Sequence, residues 1–197
     1  MTMDVKLTKN LKDDIQSVLF SQADLDKIVS RIANEITERY AESVLVRGEK
    51  LVIVGILNGA FQFMSDLVKK INLPIEIEFM FASSYGAGTI STGKVNVKVG
   101  KNPSVLEEAN NNIVIVEDII DSGNTLAKLL EELNGKGCKS VALCALFDKF
   151  ERRETYVNVD FLGEKVPDEF IVGYGLDYNE KYRNLPYVGI LKREIYE

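Results

Sequence analysis

The segment 117–125, with the sequence EDIIDSGNT, holds the residues best suited to chemistry. It follows the apolar run 113–116 and leads into leucines at helical spacing, so it is a strand-to-helix turn, where open α/β sheets bind ligands. Its second half offers hydroxyls and a glycine at a helix N-terminus, where free N–H groups favour a phosphate. Its first half adds carboxylates, which suit a ligand with hydroxyls, a developing positive charge or a magnesium ion. A solvated strand end with an Asp/Ser helix cap would give the same pattern, and the pattern alone leaves both open.

Several other kinds of site are excluded by residues that the chain lacks. Its 197 residues include no histidine, which excludes Ser-His-Asp and Cys-His mechanisms, imidazole zinc ligands and an H-E-x-x-H protease site. No Walker loop occurs, and Gly86-Ala87-Gly88 lacks the third glycine of a dinucleotide-binding fingerprint. Proton transfer must therefore use carboxylates, lysines, tyrosines or the ligand itself.

Charge and cysteine content indicate the setting of the protein. The 24 basic and 30 acidic residues give a net charge of −6, so the mean field repels nucleic acid and no such partner is expected. Cys138 and Cys144 have neither zinc-site nor redox spacing, which favours buried thiols in a reducing compartment. The longest uncharged runs, 51–65 and 79–93, are shorter than the roughly 20 apolar residues that span a bilayer. We therefore expect a soluble, cytoplasmic protein with no membrane partner.

The elements that must position the segment 117–125 alternate between strands and helices. Apolar β-branched runs predict buried strands at 51–57, 113–116 and 141–147, with shorter candidates near 170–173 and 187–191. Helical spacing predicts one helix that Ser21 caps, one after the Asn58-Gly59 turn and one that ends at Gly135. This alternation implies right-handed crossovers and a parallel sheet covered by helices on both faces.

The region around residues 75–99 is less regular. Ile75, Ile77, Phe79 and Phe81 alternate with Glu76, Glu78 and Met80, which is the pattern of a half-exposed strand. The segment 83–94 is mostly Ser, Gly and Thr and cannot bury much apolar surface, so it predicts a mobile lid or a long hairpin arm. Since no repeat or Pro-rich linker divides the chain, residues 1–197 are predicted to form one domain.

Three segments of the chain resemble those of a known family. Residues 114–126 (VIVEDIIDSGNTL) resemble the phosphoribosyl-diphosphate signature of type I phosphoribosyltransferases. Residues 146–153 (LFDKFERR) and 167–178 (PDEFIVGYGLDY) resemble the purine-reading and base-stacking segments of its 6-oxopurine, or hypoxanthine-guanine, branch. The motifs run in order from about Gly55 to Leu191. The resemblance implies an α/β fold with a parallel-rich core sheet, a flexible lid loop, and a small hood of C-terminal strands, mainly 150–197, that carries the base site.

The resemblance also implies a role for each matching residue. Carboxylates are acceptors for ribose hydroxyls, and a carboxylate near purine N7 can serve as general base. The resemblance implies that the ribose hydroxyls are bound by Glu117 and Asp118, that the general base is Asp121, and that the 5′-phosphate is bound by Ser122, Gly123, Asn124 and Thr125. It implies that the purine is bound by Lys149, Phe170, Ile171 and Asp177, and the diphosphate by Leu57, Asn58, Gly59 and Arg183. It further implies that the tip of the lid contains Ser84 and Tyr85, and that a magnesium ion is bound by Asp177, Glu117 and Asp118. Lys149 would donate a hydrogen bond to the 6-oxo group of the base. Adenine is excluded, because its exocyclic amine cannot accept that hydrogen bond.

Some of these residues have an alternative interpretation. Phe170 could be a core aromatic, and Lys149 could belong to a solvated charged loop together with Arg152 and Arg153. Asp177 and Arg183 could form a surface ion pair of little energetic value.

The chain departs from the family pattern at two positions. Asn58 stands where many relatives have Lys or Arg, so we expect diphosphate binding there to rely on backbone N–H groups. Phe150 stands where many bacterial relatives have Pro, which leaves the loop after Lys149 less restricted in φ. Base specificity is the property that this second change could alter.

The implied reaction moves the 5-phosphoribosyl group from phosphoribosyl diphosphate to N9 of hypoxanthine or guanine, and releases pyrophosphate. Its transition state resembles an oxocarbenium ion, and Mg²⁺ would neutralise the leaving diphosphate. Two alternatives stay open: a regulator that keeps the fold as a phosphoribosyl-diphosphate sensor, and an enzyme of the same class that acts on xanthine or a pyrimidine. Relatives assemble as dimers or tetramers, and we expect a homodimer or homotetramer here.

Overall fold

The structure is a computed structural model that describes residues 10–83, 96–100 and 102–197. The described residues form nine strands and four α-helices. The strands are β1 (Ile15–Phe20), β2 (Lys50–Leu57), β3 (Glu76–Ser83), β4 (Asn96–Val99), β5 (Asn111–Ile120), β6 (Ser140–Asp148), β7 (Phe161–Lys165), β8 (Ile171–Val172) and β9 (Val188–Leu191). The helices are α1 (Gln22–Leu45), α2 (Phe61–Val68), α3 (Asn124–Asn134) and α4 (Arg193–Tyr196).

Six of the strands form the core sheet, in the order β4-β3-β2-β5-β6-β7. All neighbours are parallel except β4, which pairs antiparallel with β3. The predicted strands at 51–57, 113–116 and 141–147 are confirmed as β2, β5 and β6, which are almost continuously apolar because both faces of the sheet are buried. The strand β7 was not predicted, because FLGEK is short and contains glycine and two charges.

Helices cover both faces of this sheet, as predicted. On one face α1 and α2 pack against alternate residues of β2, β5 and β6, and on the other α3 packs its leucines against the remaining ones. The capping box of α1 is confirmed, because the Asp24 N–H donates to Ser21 Oγ (3.2 Å) and the Ser21 N–H donates back to the Asp24 carboxylate (3.1 Å). Since β2 and β5 are parallel neighbours, the turns that follow them lie at the same edge of the sheet.

A second, three-stranded sheet has the order β1-β9-β8. The chain that follows β8 meets this edge of the core sheet, because a Cβ on Gly175 would overlap the carbonyl oxygen of Gly59 in the turn after β2. We call this second sheet, with the loops that join it, the hood. Its strands β8 and β9 match the short candidates near 170–173 and 187–191, but β1 comes from the N-terminal part of the chain, which the sequence did not indicate. The Tyr182 hydroxyl donates to the buried carboxylate of Asp14 (2.8 Å), which joins the segment before β1 to the C-terminal part of the hood.

The half-exposed strand predicted near residues 75–81 is confirmed as β3. The side chains of Ile77, Phe79 and Phe81 are the exposed ones, whereas Met80 is fully buried among residues of the α3 side of the sheet. The predicted lid at 83–94, with Ser84 and Tyr85, lies outside the described residues except for Ser83. Among the described helices, none combines the length and the apolar character that crossing a membrane requires.

Candidate active site

The turn between β5 and α3 forms one end of the candidate site. Gly123 precedes the helix with φ of 81°, a left-handed conformation that favours glycine, and a Cβ there would lie 2.6 Å from the Thr155 carbonyl oxygen. Helix α3 then begins at Asn124, and the first N–H groups of a helix have no partner within it. The predicted segment 122–125 therefore forms a helix N-terminus suited to an anion.

The side chains of this turn are held by the segment that follows β6. Asn124 donates through Nδ2 to Glu154 (2.6 Å), and its Oδ1 accepts from the Thr155 hydroxyl. The Ser122 carbonyl accepts from the N–H groups of Glu154 (3.0 Å) and Thr155 (3.1 Å). Because the Asn124 amide is occupied in this way, its side chain fixes the turn. The turn offers a ligand its backbone N–H groups and the hydroxyls of Ser122 and Thr125.

Two adjacent carboxylates, Glu117 and Asp118, lie at the end of β5. Burial raises the pKa of Glu117 well above its usual value, and the charge of Asp118 raises it further. Burial likewise raises the pKa of Asp118 to about 6, with a further upward effect from Asp177. One oxygen of Glu117 is buried without a hydrogen-bond partner among the described residues. The pair thus has unused acceptor capacity that a cation or ligand hydroxyls would satisfy.

The turn after β2 approaches these carboxylates closely. It contains a cis peptide bond between Leu57 and Asn58. A Cβ on Gly59 would overlap the Asp118 carboxylate, so only glycine allows the turn and β5 to lie this close. The structure therefore brings the predicted diphosphate turn next to the predicted ribose site.

A cavity of about 230 Å³ opens beside the carboxylates, between the core sheet and the hood. It collects the predicted residues Asp118, Asp121, Lys149, Phe170, Ile171 and Asp177, together with three that the sequence reasoning missed, Ile119, Arg152 and Leu176. Nothing in the sequence marks Ile119 and Leu176 as site residues, because they are simply apolar residues within the segments that resemble the family. Arg152 was considered only as part of a solvated loop, and its position facing the cavity follows from the short 3₁₀-helix Phe150–Arg152.

Lys149 is buried at this cavity, with 7% of its surface exposed. The solvated-loop alternative is therefore wrong for this residue. Its ammonium nitrogen has one carboxylate within ion-pair range among the described residues, Asp168, at 4.0 Å. This distance leaves N–H donors available for a carbonyl oxygen in the cavity. Phe150, the second departure from the family, lies outside the cavity lining, with its ring 4.8 Å from the Lys165 ammonium.

Asp177 and Arg183 form an ion pair of 2.9 Å, as the alternative interpretation held. The pair is not a surface one, because the two side chains are only 28% and 20% exposed and Asp177 lines the cavity. Arg183 also donates to the Gly175 carbonyl (2.9 Å), and the Glu180 N–H donates to Asp177 (2.9 Å). Arg183 lowers the pKa of Asp118, so its positive charge acts on the candidate site.

The described part of the chain contains no group of three or more His, Cys, Asp or Glu side chains placed to hold a metal ion together. Glu117 and Asp118 are adjacent, whereas Asp177 comes from the hood and pairs with Arg183. A second, larger cavity of about 970 Å³ lies between α1, α2 and the hood, and it contains none of the predicted site residues.

Comparison with known proteins identifies the family. The family model for the phosphoribosyl transferase domain matches residues 21–179. The chain is 44% identical over 172 residues to the hypoxanthine phosphoribosyltransferase of Escherichia coli K12, covering 87% of this chain and 93% of that protein. A crystal structure of a hypoxanthine phosphoribosyltransferase from Staphylococcus aureus superposes with a TM-score of 0.84 at 39% identity, covering 98% of this chain and 100% of that one.

A further relative is longer than this chain. The bifunctional protein TilS/HprT of Listeria innocua is 43% identical over 195 residues, which are 99% of this chain and 29% of that protein. The match of the family model, together with relatives above 40% identity, shows that the chain belongs to the phosphoribosyl transferase domain family.

Proposed function

We propose that the chain is a hypoxanthine(-guanine) phosphoribosyltransferase of purine salvage. It transfers the 5-phosphoribosyl group from phosphoribosyl diphosphate to N9 of a 6-oxopurine, which yields the nucleoside monophosphate and pyrophosphate. The observation that carries the proposal is one cavity in which Asp121 and Lys149 lie beside the anion-binding turn 122–125. The names of relatives that match nearly full length support the same activity.

Different residues bind different parts of the two substrates. The N-terminus of α3 binds the 5′-phosphate, and Glu117 and Asp118 accept hydrogen bonds from the ribose hydroxyls. The purine lies in the cavity between Ile119 and Phe170, which contribute its apolar lining. Lys149 donates to the 6-oxo group, and the backbone of Ile171 faces the C2 side.

Proton transfer falls to Asp121 in this arrangement. A carboxylate within hydrogen-bond reach of N7 accepts the proton that the purine loses as the bond from N9 to the ribose forms. The chain has no histidine that could take this role, and Asp121 lines the cavity together with the group that binds the 6-oxo oxygen.

The site fits a magnesium ion. Glu117 has a buried oxygen without a partner among the described residues, and burial raises the pKa of both Glu117 and Asp118. Glu117, Asp118 and Asp177 would hold the ion, which supplies positive charge for the leaving diphosphate. Magnesium commonly uses one or two carboxylates and takes its other ligands from substrate phosphates and water, so a preformed cage of three side chains is not required.

The diphosphate is held from two sides. The backbone at Leu57, Asn58 and Gly59 faces it from β2, and Arg183 faces it from the hood as a planar fork of donors. Because Arg183 is paired with Asp177 in the structure, we propose that the incoming diphosphate shares this guanidinium with Asp177.

The test is a direct assay. Protein, magnesium and phosphoribosyl diphosphate are incubated with hypoxanthine, guanine, xanthine, adenine or uracil, and pyrophosphate and nucleotide are measured. Turnover of hypoxanthine or guanine that excess chelator abolishes is the expected result. Preference for xanthine would change the assigned substrate, and no turnover of any base would favour the regulator. Activity that persists in excess chelator would contradict the role of magnesium.

We also propose a homo-oligomer, a homodimer or homotetramer, in a reducing cytoplasm. Three adjacent apolar side chains of β3, Ile77, Phe79 and Phe81, are exposed, and contiguous apolar surface of this kind is typical of interfaces. The spacing of Cys138 and Cys144 fits neither a zinc site nor a redox motif, which supports a reducing compartment. Light scattering of the wild type and of Phe79→Asp tests the assembly, and a wild-type monomer would contradict it.

A further inference from the structure

The last helix of the chain places an aromatic ring against the predicted base-stacking residue. The ring of Tyr196 stacks on that of Phe170, with centroids 4.9 Å apart and an interplanar angle of 26°. Tyr178 meets Phe170 edge-on at 5.4 Å and 89°, and lies 6.5 Å from Tyr196. Phe170 is therefore part of a three-ring cluster whose other members come from the hood loop and from α4.

Of the three rings of the cluster, Phe170 is the one that lines the cavity. A stacked ring covers one face of its partner, so Tyr196 occupies one face of Phe170 and leaves the other face available to a ligand in the cavity. The purine and Tyr196 would then sit on opposite faces of the same phenylalanine.

The backbone around α4 fixes Tyr196 in this place. The Lys192 N–H donates to the Asp14 carbonyl (3.0 Å), and the Leu191 N–H donates to the carbonyl of Phe170 itself (2.8 Å). Ile195 packs on the small apolar cluster around Leu191. Within the described part of the chain the Tyr196 hydroxyl forms no hydrogen bond, so the contact depends on its ring.

We propose that Tyr196 is a positioning residue for base binding, which holds the Phe170 ring in the orientation that stacks on the purine. The inference rests on the proposed function. Without a stacked neighbour, the partly buried ring of Phe170 would sample other orientations. Binding of the base would then have to order the ring, and this entropic cost would reduce the affinity for the base. The phosphoribosyl diphosphate site lies at the turns after β2 and β5, so its affinity should not depend on Tyr196.

The test compares Tyr196→Ala with Tyr196→Phe, and Tyr156→Ala serves as a matched control because Tyr156 is 86% exposed. For Tyr196→Ala we expect the KM for hypoxanthine to rise about threefold to tenfold, the effect of losing one aromatic pair. The KM for phosphoribosyl diphosphate should stay within about twofold. Tyr196→Phe, which keeps the ring, should restore the wild-type KM for the base, and Tyr156→Ala should change neither constant.

Other outcomes would overturn the inference. An unchanged KM for hypoxanthine in Tyr196→Ala removes the role, and equal rises in both KM values would mean a general loss of structure. A lower KM for the base would mean that Tyr196 covers the face that the purine needs. If Tyr196→Ala does not fold, Tyr196→Leu, which keeps apolar volume without a ring, must show the same selective rise. A wild type inactive on every base would instead contradict the proposed function.

Discussion

The guanidinium of Arg152 is paired with the carboxylate of Asp121, with Nε 2.9 Å from Oδ1. Both side chains line the cavity proposed for the purine, and Arg152 also lies 3.5 Å from Asp168. Since the Arg152 contact uses one oxygen of Asp121, the other oxygen is left for a ligand. An arginine thus contacts the residue proposed as general base, and we propose that it orients the Asp121 carboxylate.

Replacement of Arg152 by Gln should lower kcat more than it changes either KM. The substitution removes the group that holds the Asp121 carboxylate but leaves Lys149 and the phosphate turn in place. General acid–base catalysis contributes about 10²-fold to 10⁴-fold to the rate, and a misoriented base loses part of this contribution. We therefore expect kcat to fall about tenfold. Glu151→Gln, an exposed change in the same 3₁₀-helix, is the control. A normal kcat in Arg152→Gln would show that the ion pair has no role in turnover.

Replacement of Asp121 by Asn should remove the general base while retaining both substrates. Steady-state kinetics should show kcat reduced by roughly 10² or more, with KM values close to those of the wild type. Asp26→Asn is the matched control, because Asp26 is an exposed aspartate that pairs with Lys70 and does not line the cavity proposed for the purine. An undiminished kcat in Asp121→Asn, or an equal loss in Asp26→Asn, would remove the assigned role.

Replacement of Lys149 by Ala should affect the base selectively. A hydrogen bond from a charged donor contributes about 1.5–3 kcal/mol, so the KM for hypoxanthine should rise roughly 10-fold to 100-fold while that for phosphoribosyl diphosphate changes little. Lys165→Ala, which removes an ammonium beside Phe150 and outside the cavity, should have no such effect. Equal changes in both KM values would indicate misfolding or another role for Lys149.

The sequence predicted the parts of the protein in which one local pattern determines the outcome. The apolar runs of β2, β5 and β6 and the capping box of α1 have this property. The strand β1 could not be predicted, because its Gln16, Ser17 and Val18 are exposed and it is ordered by pairing with β9, far away in the chain. The β3 pattern predicted a strand, but the side that carries Met80 is the covered one, because Met80 packs in one apolar cluster with Val105 and Leu106 of the 3₁₀-helix Pro103–Leu106.

The candidate site could also be predicted only where local sequence patterns determine it. The segments that carry Asp121, Lys149 and Phe170 could be recognised from the sequence, and the structure brings these residues to one cavity. The partners of these residues could not be recognised, since the contacts of Arg152 with Asp121 and of Tyr196 with Phe170 join segments that share no local pattern. Such contacts depend on tertiary packing.

Asp118 should make the stability of the protein depend on pH. Burial raises its pKa from 3.8 to about 6, so the folded protein binds this proton more tightly than the unfolded chain does. The unfolding free energy therefore decreases as the pH rises from about 4 to about 6, and the full cost is present above pH 6. Asn at this position has no charge to desolvate and keeps an oxygen that can accept from the Ile119 N–H (2.8 Å in the wild type).

Urea unfolding of Asp118→Asn and of the wild type at several pH values measures this cost. At pH 8 the variant should be more stable by about 1–3 kcal/mol, and the difference should shrink as the pH falls through about 6 and approach zero near about pH 3, below the pKa of the carboxyl in both states. Glu131→Gln, an exposed change on α3, should give no pH-dependent difference. A gain of equal size at pH 4 and pH 8 would mean that the substitution acts through packing. A variant less stable than the wild type at pH 8 would mean that the Asp118 charge has a compensating partner in the folded protein.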